Sequence, residues 1–191
     1  MTEPFRCPWA RSPEEVLYHD TEWGVPSRDD RVHFEFLILE AAQAGLSWLT
    51  VLRKREGYRR AFAAFDPEAV ARFGPADVAR LMADAGIVRN RLKIESAIHN
   101  AGPFLRLAER HGSFAAWLWD FVDGRPVDGR RESLADVPAT TPLGEKVSRA
   151  LKAEGFRFVG PTVVYAHLQA TGLVNDHLVT CFRHEAVAGL A

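Results

Sequence analysis

The sequence predicts an all-α protein, and three of its features carry that prediction. A capping residue followed by proline recurs at Ser12-Pro13, Asp66-Pro67 and Thr141-Pro142, with Gly74-Pro75 a weaker case. The cap's side chain accepts from an orphan N–H of the first helical turn, and proline at that position gives up an N–H that would otherwise lack a partner. Apolar runs have helical length, as in VHFEFLILEAAQA from Val32 to Ala44. Alternation of apolar and polar residues, the mark of a half-buried strand, is scarce, so no sheet is expected.

Taken in order, a helix is expected near 13–20, where Ser12 and Glu15 have the spacing of a capping box. Ser27 with Asp30 offers a second box ahead of the 32–44 run, and Gly45 sets that helix's end near Ala44-Gly45. Helices follow near 48–63, 67–72, 76–84, 90–110 and 113–123. The stretch 124–139, GRPVDGRRESLADVPA, is rich in Gly, Pro and charge and reads as a surface loop. Helices near 143–154 and 161–171 follow it, joined by the turn Gly155 to Gly160.

Composition bounds the function. The 191 residues suit one large domain or two closely packed subdomains. A formal net charge of -1 means that any contact with nucleic acid must rest on local basic clusters. No apolar run is long enough to span a bilayer, so no membrane partner is expected. MTEPFRCPWARS shows no secretory apolar region, which points to the cytoplasm and reduced thiols.

The chain has two cysteines, Cys7 and Cys181, each near a histidine, His19 and His177. One thiolate and one imidazole from each end would complete a tetrahedral zinc site with no open position, a structural staple. Two buried apolar cysteines, or a Cys7–Cys181 disulfide, are the alternatives.

Two segments suit a phosphate backbone. In LGEKVSRALKAEGFRFVGPTVVYAHLQATG a helix ends at Gly155, a short turn carries Arg157, and Pro161 opens the next helix after Gly160. Glycines allow close approach, and free amides at a helix start attract anions. Around Gly86, the bases Arg89, Arg91 and Lys93 could extend a positive strip. Ordinary packing of the hairpin and solvation of the bases are the plainer readings.

Glu40 lies in the apolar run, sharing a helical face with Phe36, Leu37, Gln43 and Ala44, about 140° round from Glu35. A carboxylate facing a core demands a partner, so Glu40 is a candidate acceptor for a ligand's N–H groups or positive charge, or else lies in an open groove. Gly45 permits a sharp turn, Leu46 stands at its tip, and Trp48 opens the next helix. A loop-tip apolar residue folds back into its own core or, in a DNA-binding protein, wedges between bases. Trp9, Tyr18 and Trp23 add aromatic faces.

Together these segments resemble the 3-methyladenine DNA glycosylase I family, a divergent branch of the helix-hairpin-helix glycosylases. The resemblance rests on YHDTEWGVP (18–26), LEAAQAGLSWLTVLRKREGYRRAF (39–62), DAGIVRNRLKI (84–94) and GFRFVGPTVVYAHLQATGLVNDH (155–177). It implies an all-helical fold with one zinc ion on Cys7, His19, His177 and Cys181, joining the chain ends. It implies a monofunctional glycosylase that flips 3-methyladenine out of alkylated duplex DNA, cuts its N-glycosidic bond and releases the free base. Glu40 and Tyr18 would hydrogen-bond the base, Trp48 would stack on it, and Trp9 and Trp23 would line the site. Gly45 and Leu46 would fill the gap in the duplex, while Arg91, Lys93, Arg157 and Gly160 would meet the backbone. Ala41 departs from the glycine expected beside Glu40. Asp176, next to His177, is read as supporting the metal ligand or capping a helix rather than as a catalytic acid. The expected organisation is one glycosylase unit over 1–191, built of two packed helical subdomains, the joined termini in one and the 84–154 helices in the other. A monomer is expected. A silent DNA-binding module, or a zinc hydrolase with only three protein ligands, are the rival readings.

Overall fold

In the computed structural model, which describes residues 4–190, the fold is built of ten α-helices with one of them at the centre. They are α1 (Pro13–Thr21), α2 (Asp30–Gln43), α3 (Trp48–Ala61), α4 (Pro67–Ala71), α5 (Pro75–Ala83), α6 (Arg91–His111), α7 (Phe114–Trp119), α8 (Pro142–Ala153), α9 (Pro161–Ala170) and α10 (Phe182–Ala188). Helix α2 is the hub, because it touches α3, α6, α7 and α9. Its apolar face supplies Phe34, Leu37, Ile38 and Leu39 to a core that also holds Phe62, Leu81, Ile94, Phe104, Leu107, Val147 and Leu168. Phe104 stacks on Phe114 with ring centroids 4.3 Å apart, tying α6 to α7.

The helix starts follow the capping chemistry closely. Ser12 accepts from the Glu15 N–H at 3.2 Å, and the Glu15 carboxylate accepts from the Ser12 N–H at 2.9 Å. Asp66, Thr141 and Ser47 cap α4, α8 and α3 through their side chains. At Gly74, which has no side chain, the Asp77 carboxylate reaches back to the cap N–H at 3.0 Å.

Three expectations are corrected. The cap of α2 is Asp29, whose carboxylate accepts from the Arg31 N–H at 2.7 Å, and not a Ser27–Asp30 box. Asp30 turns away and caps α7 from a distance, accepting the N–H groups of Phe114 at 3.0 Å and Ala115 at 2.8 Å. The stretch 124–139 lies at the surface as expected, but, against the expectation of no sheet, β1 (Val127–Asp128) pairs in parallel with β2 (Val174–Asn175), and an isolated bridge joins Arg131 to Leu178. Helix α10, which follows Cys181, was not foreseen.

Helix α3 meets the 84–88 turn backbone to backbone: a Cβ on Gly57 would collide with the carbonyl oxygen of Gly86. The Tyr58 hydroxyl accepts the Val88 N–H at 3.2 Å and fixes that turn. Among the described residues no helix is long and apolar enough to cross a membrane.

Because Asp30 satisfies two orphan amides of α7 from another helix, Asp30→Ala should lower stability by about 1–2 kcal/mol. Urea denaturation measures this. A midpoint equal to that of the native chain would show that the cap is dispensable.

Candidate active site

Five residues singled out by sequence line one cavity. Trp9, Tyr18, Trp23, Glu40 and Trp48 surround about 270 Å³, together with Glu15, Gln43, Ala166 and Gln169. Helix α1 delivers Tyr18 from its last turn, α2 delivers Glu40 and Gln43 one turn apart, and α3 opens with Trp48. Ala166 and Gln169 come from one face of α9, which packs on α2.

The aromatic walls brace each other. Trp9 sits edge-on to Trp23 at 5.1 Å, Tyr18 lies 5.3 Å from Trp48, and Trp48 stacks over Phe36 at 6.5 Å. Such pairs hold ring planes in place without using up the faces turned to the cavity.

Glu40 is the chemical centre. It is 5% exposed and has no hydrogen-bond partner in the protein among the described residues. Burial pushes its carboxyl from the ordinary 4.5 up to about 8. Glu35 on the same helix is the contrast: Arg55 donates to it at 2.6 Å and Arg59 at 3.4 Å. The Tyr18 phenol is pushed well up, by burial first and then by the negative charge of Glu40. Glu15, the other carboxylate at the cavity, is engaged by the Ser12 and Arg11 N–H groups. Ala41 is buried and is absent from the cavity walls, so its methyl group does not narrow them.

A second cavity of about 290 Å³ shares Glu40, Gln43 and Ala166 and runs out past Gly45 and Leu46 to Thr162 and Val163. Gly45 adopts φ +80°, a conformation that favours glycine, and Leu46 is 41% exposed at the loop tip. Lys93 does not join an outward basic strip. Its ammonium group donates to the carbonyls of Ala42 at 2.8 Å and Ala44 at 2.5 Å, capping α2 and fixing this loop. Arg91 stays exposed and pairs with Glu95 at 3.3 Å.

The turn between α8 and α9 is held by its carbonyls. His99 pairs with the Gly155 carbonyl at 2.9 Å, Asn100 donates to that of Arg157 at 2.9 Å, and Ser148 donates to that of Val159 at 2.6 Å. The N–H groups of Phe158, Val159, Gly160, Thr162 and Val163 have no protein acceptor among the described residues. Carbonyls pinned and amides free at a helix N-terminus are features that favour an anion. Arg157 and Gly160 both belong to it.

The termini meet as expected from the cysteines and histidines. Ligand atoms of Cys7, His19, His177 and Cys181 all lie within 4.8 Å of one another, and all four side chains are buried. Cys181 Sγ is 3.4 Å from His19 Nε2 and 3.7 Å from His177 Nδ1, and Cys7 Sγ is 3.7 Å from His177 Nδ1. Tetrahedral zinc, at about 2.3 Å from sulfur and 2.0–2.1 Å from nitrogen, sets such pairs roughly 3.5–3.6 Å apart. The cysteines are free rather than bridged. Outer partners orient both rings: Asp20 lies 2.8 Å from His19 Nδ1, and the Trp23 carbonyl lies 2.9 Å from His177 Nε2.

Asp176 neither supports a metal ligand nor caps a helix. It is 2% exposed and receives Arg131 Nε at 2.9 Å, Gln169 Nε2 at 2.7 Å and the Tyr165 hydroxyl. The cavity residues Ala166 and Gln169 are not indicated by the sequence, and Gln43 is marked there only as a neighbour of Glu40 on its helical face. Thr162, Ala166 and Gln169 do share one helical face, the signal that could have found two of them.

The chain matches the methyladenine glycosylase family model over residues 9–184. It belongs to that family. It is 46% identical over 177 residues to DNA-3-methyladenine glycosylase 1 of Escherichia coli (strain K12), an alignment that covers 92% of this chain and 95% of the relative. A crystal structure of 3-methyladenine DNA glycosylase I superposes with a TM-score of 0.90 at 47% identity, covering 93% of this chain and 98% of that one. A Tyr-to-Phe variant of 3-methyladenine DNA glycosylase I in complex with 3-methyladenine superposes with a TM-score of 0.89 at 38% identity, covering 92% and 95% of the two chains.

Glu40 makes stability depend on pH. The folded protein keeps this proton up to about 8, whereas the unfolded chain releases it near 4.5. Stability is therefore full below the lower value and falls as pH rises through the upper one. Glu40→Gln should remove this slope and leave the variant more stable than the native chain at pH 8, by on the order of a few kcal/mol. Urea midpoints at pH 5 and pH 8 measure the difference; parallel shifts in both proteins would show that Glu40 titrates normally.

Proposed function

We propose that this protein is a monofunctional DNA glycosylase of base-excision repair, which hydrolyses the N-glycosidic bond of 3-methyladenine in alkylated double-stranded DNA. The observation that carries the proposal is the partnerless, buried carboxyl of Glu40 in a cavity walled by indole and phenol rings. The bound 3-methyladenine in a structural relative supports the same reading.

Methylation at N3 puts positive charge on the purine while it is attached to the sugar. The cationic base is already a good leaving group, so flipping, recognition and stabilisation of the sugar cation dominate the task. In this reading the flipped base stacks on Trp48, with Trp9 and Trp23 lining the site, and hydrogen-bonds to Glu40 and Tyr18. A cation drives Glu40 toward its ionised form, and an electron-rich indole face favours a cation over neutral adenine. Normal adenine brings no positive charge to ionise Glu40, so the carboxyl keeps its proton and no ion pair forms, which is selectivity without strong acid–base catalysis. Extrusion costs least for a damaged nucleotide.

On the DNA side, we assign Gly45 and Leu46 to the gap left in the stack, and the α8–α9 turn with Arg157 and Gly160 to the backbone as a helix-hairpin-helix element. Arg91, exposed and held only by a surface pair with Glu95, is assigned to a phosphate. The ligand separations support one structural zinc ion held by Cys7, His19, His177 and Cys181. It fastens the termini, and with them Trp9, Tyr18 and Trp23, beside the cavity. We further propose that residues 1–191 act as one glycosylase unit of two packed subdomains, as a monomer in the cytoplasm.

Incubation with methylated duplex DNA should release free 3-methyladenine and leave abasic sites. Glu40→Gln should slow release at least about tenfold, the loss expected from removing one charged hydrogen bond, while the variant folds normally. A protein that binds the duplex and releases no base is a silent DNA-binding module. For the metal, protein freshly unfolded in guanidinium should liberate one zinc per chain by atomic emission, and Cys181→Ser should melt several degrees lower. A metal-free preparation with the native melting temperature would remove zinc from the account.

A further inference from the structure

We propose that Gln169 is a second recognition residue of the base cavity, its amide carbonyl accepting an N–H of the bound purine, with the buried Asp176–Arg131–Tyr165 cluster as the device that orients it. The proposal rests on the glycosylase reading above and adds the class of base that the site selects.

Gln169 stands on α9 and lines the same cavity as Glu40 on the packed helix α2. Its Nε2 donates to Asp176 Oδ2 at 2.7 Å. The same carboxylate takes Arg131 Nε on Oδ1 at 2.9 Å and the Tyr165 hydroxyl on Oδ2. Arg131 Nη2 donates to the Tyr165 oxygen at 3.2 Å, which leaves the phenolic proton to go to Asp176. Every group that reaches Asp176 is therefore a donor.

This fixes the amide. Turning Gln169 over would set its carbonyl oxygen against a carboxylate oxygen, with both atoms acceptors only. The Gln169 Oε1 atom consequently points away from Asp176, and no donor among the described residues hydrogen-bonds to it. An acceptor held at a cavity wall with no donor is complementary to a ligand N–H. Asp176 itself is absent from the cavity walls, so it works through Gln169.

Once a cationic base has ionised Glu40, Glu40 and Gln169 offer acceptors from two packed helices. A purine with an exocyclic amino group at position six can give N–H to such a pair. A six-oxo purine carrying the same N3 methyl group turns lone pairs toward them. Gln169 should accordingly select amino- over oxo-purines, which makes 3-methylguanine the poorer substrate.

Duplex DNA carrying both 3-methyladenine and 3-methylguanine tests this, with kcat/KM measured for each released base. Gln169→Met should lower 3-methyladenine excision about ten- to a hundredfold and narrow the ratio between the two bases, as expected where a hydrogen bond confers discrimination. Asp176→Asn, which lets the amide turn over, should narrow the ratio in the same direction, and the Kd for free 3-methyladenine should weaken in parallel. Gln169→Met with the native rate and ratio overturns the proposal. If the native protein releases no 3-methyladenine, the glycosylase reading itself falls. The native chain also gives a readout that does not depend on variants folding: free 3-methylhypoxanthine should bind at least about tenfold more weakly than 3-methyladenine. Equal binding overturns the proposal.

Discussion

The site depends on the cost of enclosing a carboxyl group without giving it a partner. Glu40 sits on the central helix, and the fold surrounds it with rings instead of bases. Five residues away on the same helix, Glu35 receives two arginines, so the chain has guanidinium groups at hand and keeps them off Glu40. The proton that Glu40 retains is the consequence of that isolation. A ligand bearing positive charge relieves the strain, and a neutral one does not.

Much of this was legible in the sequence. Caps at Ser12, Asp66 and Thr141 act within three residues, so local spacing reveals them. The aromatic set and Glu40 were visible because their segments resemble a known family, and the Cys7, His19, His177 and Cys181 cluster because it holds both of the chain's cysteines, each near a histidine, and falls within that resemblance. What stayed hidden acts across the chain. Asp30 caps a helix 84 residues away, and Arg131 reaches Asp176 from 45 residues away. The β1–β2 pair is two residues long on each side, too short to leave a periodic trace. Lys93 reads as a surface base, but its ammonium group is drawn inward to unsatisfied carbonyls at the end of α2.

The stretch taken for a loose connection proves to be structural. Gly129 lies so close to Asp176 that a Cβ there would collide with the carboxylate. This approach lets the segment close over α9 and bring in Arg131. The inner wall of the cavity therefore depends on backbone that never touches it, and the outer wall depends on the joined termini.

That last dependence orders events in time. Trp9 and His19 are made early, but the side chains that hold them, His177 and Cys181, follow some 160 residues later. On the ribosome the helical core can condense while the aromatic wall still lacks its anchor. The recognition surface is thus complete only once Cys181 has been made, and a chain cut short of it would carry the central helix without the anchor of its aromatic wall.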